Sequence, residues 1–259
     1  MDLGIKGRRA IVCASSRGLG RACATSLARE GVDVVINGRT ESTLEEAAES
    51  IRALGAGSVT SVVADISTTE GRDALLAACP EPDILINNNG GPPPGRFSMW
   101  TEADWEGALQ SNLLAPTFLI QAVLPGMEQR RFGRIVNITS AMVKAPHHIM
   151  GLSTSARSAL TALCKGLSRD VAENNVTINN LLPERFDTDR QEQMAMLAAN
   201  FRQTSVEHER QAMIDSIAAK RLGQPNELGD ACAFLCSVQA SYISGQNLQL
   251  DGGSFPGLI

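Results

Sequence analysis

Short apolar runs and amphipathic helical stretches alternate along almost the whole chain, and this order constrains the fold more than any other feature. Residues 10–14, 32–37, 59–64, 84–87, 134–138, 176–182 and a last run near 246–250 read as strands. Helical patterns fill 18–30, 41–54, 68–78, 102–129, 151–174 and 225–237. Strands that alternate with helices pair in parallel through right-handed crossovers. The runs show little apolar/polar alternation, as expected of strands covered on both faces. The expected fold is therefore α/β: a single-domain, Rossmann-type, doubly wound parallel sheet of about seven strands with helices on both faces. No linker, repeat or low-complexity stretch divides residues 1–259. One segment, 187–220, is helical, Met- and Gln-rich and strandless, so it reads as an insertion. Ligands of open parallel sheets bind beyond the strands' carboxyl ends, which makes the insertion either a substrate lid or an ordinary packed helical pair.

Composition narrows the partners. Lys and Arg number 23 against 28 Asp and Glu, a net charge of −5, and the basic residues are scattered, so neither nucleic acid nor a membrane surface is expected to bind. No uninterrupted apolar run approaches the ~18 residues of a membrane span, and the start lacks a signal-peptide core. A cytoplasmic protein acting on a small molecule is expected. The six cysteines form no CxxC, and Cys232 and Cys236 have no nearby His. They read as small buried hydrophobes in a reducing compartment, with no metal site.

The first strand runs directly into Ala14-Ser15-Ser16-Arg17-Gly18-Leu19-Gly20 and then a helix. Glycines there allow close approach of a diphosphate, and the positive helix end with its free N–H groups stabilises the charge. Further along stand Asp65-Ile66, Asn87-Asn88-Asn89-Gly90, Asn112, Ser140 within Val136-Asn137-Ile138-Thr139-Ser140, and the C-terminal Asp251-Gly252-Gly253. In this order over essentially the whole chain, these motifs resemble the short-chain dehydrogenase/reductase family, near its 3-oxoacyl-acyl-carrier-protein reductase branch. Within these motifs two family positions differ: Ala14 stands for a Gly, and Asn89 for an Ala. The resemblance implies a nicotinamide nucleotide held by Ser15, Ser16, Arg17, Gly18, Leu19 and Gly20. Asp65 and Ile66 fall at its adenine, with Asn88, Gly90, Pro183 and Thr188 lining its remainder. It also implies a homotetramer or homodimer, a role that the apolar tail 255–259 fits.

Charge argues for the cofactor. A carboxylate at the end of the second strand would suit a free ribose 2′-OH, but that strand ends Asn37-Gly38-Arg39-Thr40. Arg39 and Arg17 suit a 2′-phosphate. NADP(H) is expected over NAD(H), which stays as the alternative.

The family's Tyr-x-x-x-Lys pair has no counterpart. The chain's one tyrosine is Tyr242, and the matching positions hold Ser153 and Arg157. A serine hydroxyl is a far weaker acid than a phenol, and a guanidinium keeps its proton. Ser140 and Asn112 keep the family's residue types and can bind a carbonyl oxygen or order a water. Three replacements for the proton path are open. His147, beside His148, lies on the loop after Ser140 and carries an imidazole, a common general acid; Glu184, where relatives have Gly, can enter the pocket; and a protonated imine needs little acid help. Arg157 is counted with both the catalytic and the cofactor-binding groups. Two functional classes remain: an oxidoreductase of a small carbonyl or imine with a non-tyrosine donor, or a nucleotide-binding regulatory or scaffold homologue without turnover.

Overall fold

The computed structural model describes residues 2–55 and 57–258. Ile259, counted above in the apolar tail, lies outside them. The strands are β1 (Arg9–Val12), β2 (Asp33–Gly38), β3 (Val59–Val63), β4 (Ile84–Asn87), β5 (Gly133–Ile138), β6 (Val176–Pro183) and β7 (Asn247–Leu250). They form one parallel sheet ordered β3-β2-β1-β4-β5-β6-β7. The order reverses beside β1, which creates a crevice at the carboxyl ends of β1 and β4. The helices are α1 (Gly18–Arg29), α2 (Glu41–Arg52), α3 (Thr69–Ala78), α4 (Glu102–Leu109), α5 (Ala115–Gln129), α6 (Gly151–Asp170), α7 (Asp189–Arg202), α8 (Val206–Ser216) and α9 (Pro225–Cys236).

Successive residues of a strand point to opposite faces, and the core divides accordingly. Ala10, Val12, Ile84 and Ile86 pack with Cys23 and Leu27 of α1, Leu44 of α2, and Leu228 and Cys232 of α9. Ile11, Leu85 and Ile135 pack on the other side with Leu75 of α3, Leu119 and Val123 of α5, and Leu160 of α6. All six cysteines are buried.

Asparagine is disfavoured in strands, yet β4, β5, β6 and β7 each carry one at the same register: Asn87, Asn137, Asn180 and Asn247. The amides join in a ladder across the sheet. Asn87 Nδ2 donates to Asn137 Oδ1 at 2.9 Å, Asn137 Nδ2 to Asn180 Oδ1 at 2.9 Å, and Asn180 Nδ2 to Asn247 Oδ1 at 2.8 Å. The mutual bonds offset the desolvation of three fully buried side chains.

Helices α4 and α5 form one continuous helix through a π-turn at Gln110–Leu114. This 28-residue stretch is the one described helix long and apolar enough, by length and composition, to cross a membrane. Charged and polar residues such as Asp104, Glu106, Asn112 and Gln121 interrupt it, so it holds no unbroken apolar run. Its apolar side, including Ala115, Leu119, Ile120, Val123 and Met127, is buried against the sheet as in a core helix. The strandless insertion is the helical pair α7 and α8, hinged by Gln203 in left-handed backbone at φ +55°.

Candidate cofactor and active site

A cleft of about 550 Å³ opens at the carboxyl ends of the strands. Its floor comes from the loops after β1, β2, β3, β4 and β5, and its far wall from 183–193. Of the expected cofactor residues, Ser16, Arg17, Gly18, Leu19, Arg39, Asp65, Ile66, Asn88, Gly90, Arg157, Pro183 and Thr188 line it.

The turn after β1 is held from three sides. Asn37 Oδ1 accepts from the Ala14 N–H at 3.2 Å, Asn88 Nδ2 donates to the Ala14 carbonyl at 3.1 Å, and Ser15 N–H donates to the Asn37 carbonyl at 2.7 Å. Ser15 is fully buried, with its hydroxyl on the Val12 carbonyl. It shapes the turn from inside and does not touch the cleft, which corrects its expected contact with the nucleotide. Gly20 is also removed from the lining. A Cβ there would stand 2.4 Å from the Ala14 carbonyl oxygen and 2.8 Å from Asn88 Nδ2, so only glycine permits the turn to fold back over α1. Ala14 itself sits at φ +45°, left-handed backbone where the resemblance expects glycine. Arg17 occupies the N-cap of α1 without a side-chain cap bond, leaving the first N–H groups for an anion. The glycine cradle and the uncapped helix end together fit a diphosphate.

At the outer end Arg39, largely exposed, lies 3.9 Å from Asp65. Thr40 and Thr43 stand beside it in the lining. Arg17 is 3.5 Å from Asp189 of α7, and both are well exposed. Thr188 lines the cleft at the N-cap position of α7, and its hydroxyl makes no cap bond.

At the inner end Ser140, Ser153 and Arg157 come together. Ser140 caps a short 3₁₀ turn, its Oγ accepting from the Met142 N–H at 3.2 Å. Arg157 Nε donates to Ser153 Oγ at 3.2 Å, Nη1 to the Ile138 and Thr139 carbonyls at 2.6 and 3.0 Å, and Nη2 to the Asn89 carbonyl at 3.2 Å. Four of the five N–H groups of the guanidinium are thereby used. Burial, aided by the positive charge of Arg190, pushes its pKa down to about 10, so it is charged at neutral pH.

Two expected catalytic residues fall elsewhere. Asn112 is buried in the π-turn, its Nδ2 on Ser111 Oγ at 2.8 Å and its Oδ1 without a partner among the described residues. It does not reach the cleft, because the wider turn directs the amide along the helix. His147 is exposed, stacks on His148 at 4.5 Å and accepts the Ile149 N–H at 3.5 Å. It is absent from the lining: it caps the 3₁₀ turn His148–Met150 from the solvent side, and of that turn only Met150 lines the cleft.

Glu184, by contrast, lines the cleft half-buried. Burial raises its pKa, Arg185 at 3.8 Å lowers it and Asp251 raises it, with a net upward shift.

Comparison with known proteins agrees with this geometry. The enoyl-(acyl carrier protein) reductase sequence profile matches residues 13–254. The chain is 30% identical to the 3-oxoacyl-acyl-carrier-protein reductase FabG of Vibrio cholerae, over 98% of this chain and 99% of that one. The chain belongs to the short-chain dehydrogenase/reductase family. Among solved structures, YwfH, an NADPH-dependent reductase involved in bacilysin biosynthesis, superposes with a TM-score of 0.91 at 31% identity, covering 98% and 100% of the two chains. L-sorbose reductase of Gluconobacter frateurii, solved with NADPH and L-sorbose, gives 0.93 at 28% identity with full coverage of both chains.

Within this short-chain dehydrogenase/reductase, two side chains at the cleft escaped the sequence reading. Asn37, buried at the edge of the cleft, donates to the Val62 and Ala64 carbonyls at 3.2 and 2.8 Å while its Oδ1 holds the Ala14 turn, so it ties that turn to β3. Arg190 reaches across from α7 to the Pro92 carbonyl at 2.9 Å. Its place two residues after Thr188 was a signal, but its direction depends on how α7 packs.

Proposed function

We propose that this protein is an NADP(H)-dependent oxidoreductase that interconverts a small carbonyl compound or imine and its reduced form, with Glu184 as the proton donor. The observation that carries the reading is one continuous cleft. It has an uncapped helix end and two arginines at its outer part, and Ser140, Arg157 and Glu184 at its inner part. NADPH bound there would supply the hydride. Arg17 and Arg39 would hold the 2′-phosphate. Ser140 Oγ and the spare Arg157 N–H would bind and polarise the substrate oxygen. The Glu184 carboxyl, whose pKa burial raises, would hold a proton and release it to that oxygen. Exposed Leu114, Phe118 and Leu163 support assembly as a homotetramer or homodimer through the α5 and α6 faces. The cytoplasmic location expected above accords with this reading.

The test is NADPH oxidation over a panel of ketones, aldehydes and imines, with wild type and Glu184→Gln. A lost general acid lowers kcat by about 10²–10⁴-fold. Carbonyl reduction by the wild type declines as pH rises through the Glu184 pKa, because only the protonated carboxyl donates. Unchanged kcat and pH profile in Glu184→Gln would remove this donor. A second reading, a nucleotide-binding regulatory or scaffold protein, is favoured by one observation. Four of the five Arg157 N–H groups are spent on Ser153 and backbone carbonyls, a structural use of the guanidinium. Nucleotide binding with no turnover across the panel would establish it.

A further inference from the structure

Two cations at the inner end of the cleft have no counter-charge. Around Arg190 every neighbouring acid in sequence is already engaged: Glu184 with Arg185, Asp187 and Glu192 with Arg210, and Asp189 with Arg17. Neither Arg190 nor Arg157 takes part in any ion pair among the described residues. Both grip the same short loop, Arg157 through the Asn89 carbonyl and Arg190 through the Pro92 carbonyl. Between those two points Gly91 presents no side chain, and a Cβ there would lie 3.8 Å from both Arg157 Nη2 and Ser153 Oγ. Two guanidiniums that repel one another across a partly desolvated pocket are a costly arrangement, and an anion placed between them relieves it.

We propose that Arg190 is a specificity residue for a carboxylate on the substrate, so that the protein acts on an oxo acid or imino acid whose carboxylate lies near the reacting carbon. Arg190 sits at the root of α7, at the start of the helical pair, and its fork geometry accepts a planar carboxylate through two parallel N–H groups. Its contact with Pro92 ties α7 to the loop that also carries the Arg157 contact, so carboxylate capture and placement of the carbonyl oxygen share one loop. This inference rests on the reductase reading.

The test uses oxamate, a non-reducible 2-oxo-acid mimic, and its neutral ester ethyl oxamate, titrated calorimetrically into protein saturated with NADPH. Oxamate is expected to bind, and the ester to bind far more weakly. Arg190→Met should weaken oxamate by about 10–100-fold, as loss of a charge-assisted contact requires, while Arg190→Lys restores part of it. Circular dichroism and the Kd for NADPH of each variant are measured alongside. Equal binding of oxamate and its ester, or an Arg190→Met protein that binds oxamate like the wild type, overturns the proposal alone. A large loss of NADPH affinity in Arg190→Met assigns the arginine to the cofactor and likewise overturns it. If the wild type binds no nicotinamide nucleotide, the reductase reading fails first and takes this one with it.

Discussion

Arg157 sets two opposing effects against each other, and replacing it measures which one wins. Arg157→Met keeps the aliphatic bulk but removes the guanidinium. The carbonyls of Ile138, Thr139 and Asn89 then lose their donors inside a buried site. An orphaned buried acceptor costs about 1–3 kcal/mol, so three cost about 3–9 kcal/mol. Against this stands relief from holding a charge away from water. Burial depresses the guanidinium to about 10, and a fall of that size is worth about 3 kcal/mol. The net expectation is destabilisation near 3 kcal/mol, large against a total stability of about 5–15 kcal/mol. Urea unfolding followed by circular dichroism, with the m-value checked for constancy, reads it directly. A variant as stable as the wild type, or more so, would show that desolvation outweighs the four hydrogen bonds and that Arg157 persists for its ligand alone.

Three further outcomes follow from the geometry. Asn137→Ala removes the middle rung of the amide ladder, orphaning Asn180 Oδ1 and leaving Asn87, whose Oδ1 already lacks a partner, with neither end satisfied. At about 1–3 kcal/mol per lost partner the protein should lose about 2–6 kcal/mol, and a loss below ~1 kcal/mol in urea unfolding would dismiss the ladder as a stabilising element. Ala14→Gly relieves the left-handed backbone at φ +45°; net of the freer unfolded chain it should stabilise by about 0.5–1 kcal/mol, and a lower thermal midpoint would contradict the strain. Arg39→Ala should weaken NADPH about 10-fold and leave NADH nearly untouched, the low end of the range for charged contacts because the side chain is 79% exposed and shared with Asp65. Fluorescence titration with both nucleotides checks this, and equal losses would detach Arg39 from the 2′-phosphate.

How much was legible beforehand depends on the range of the interactions. Strand and helix positions are written in local periodicity, and all seven strands fell within a residue or two of expectation. The chief local surprise was β1, which ends at Val12 because Ala14 turns left-handed. The phosphate turn was legible for the same reason, since a glycine pair between a strand and a helix is a local signal. That the one tyrosine stands at 242 and Ser153 at the expected position needed only counting. Ser15 and His147 lie off the cleft because sequence neighbours of a site need not face it: Ser15 turns inward to bond Val12, and His147 is exposed while Met150, three residues on, lines the cleft.

The sequence by itself determined the alternation of strands and helices, the glycine-bearing turn after β1 and the place of the one tyrosine, because each depends on residues within about one helical turn or on composition. Only the tertiary structure decided which charges meet. Arg190 and Pro92 are 98 residues apart, Arg157 and Asn89 are 68 apart, and the ladder from Asn87 to Asn137 spans 50. No local pattern encodes those distances. The crossovers of the parallel sheet bring remote segments to a common edge, and the low dielectric there makes the pairing of each buried charge matter.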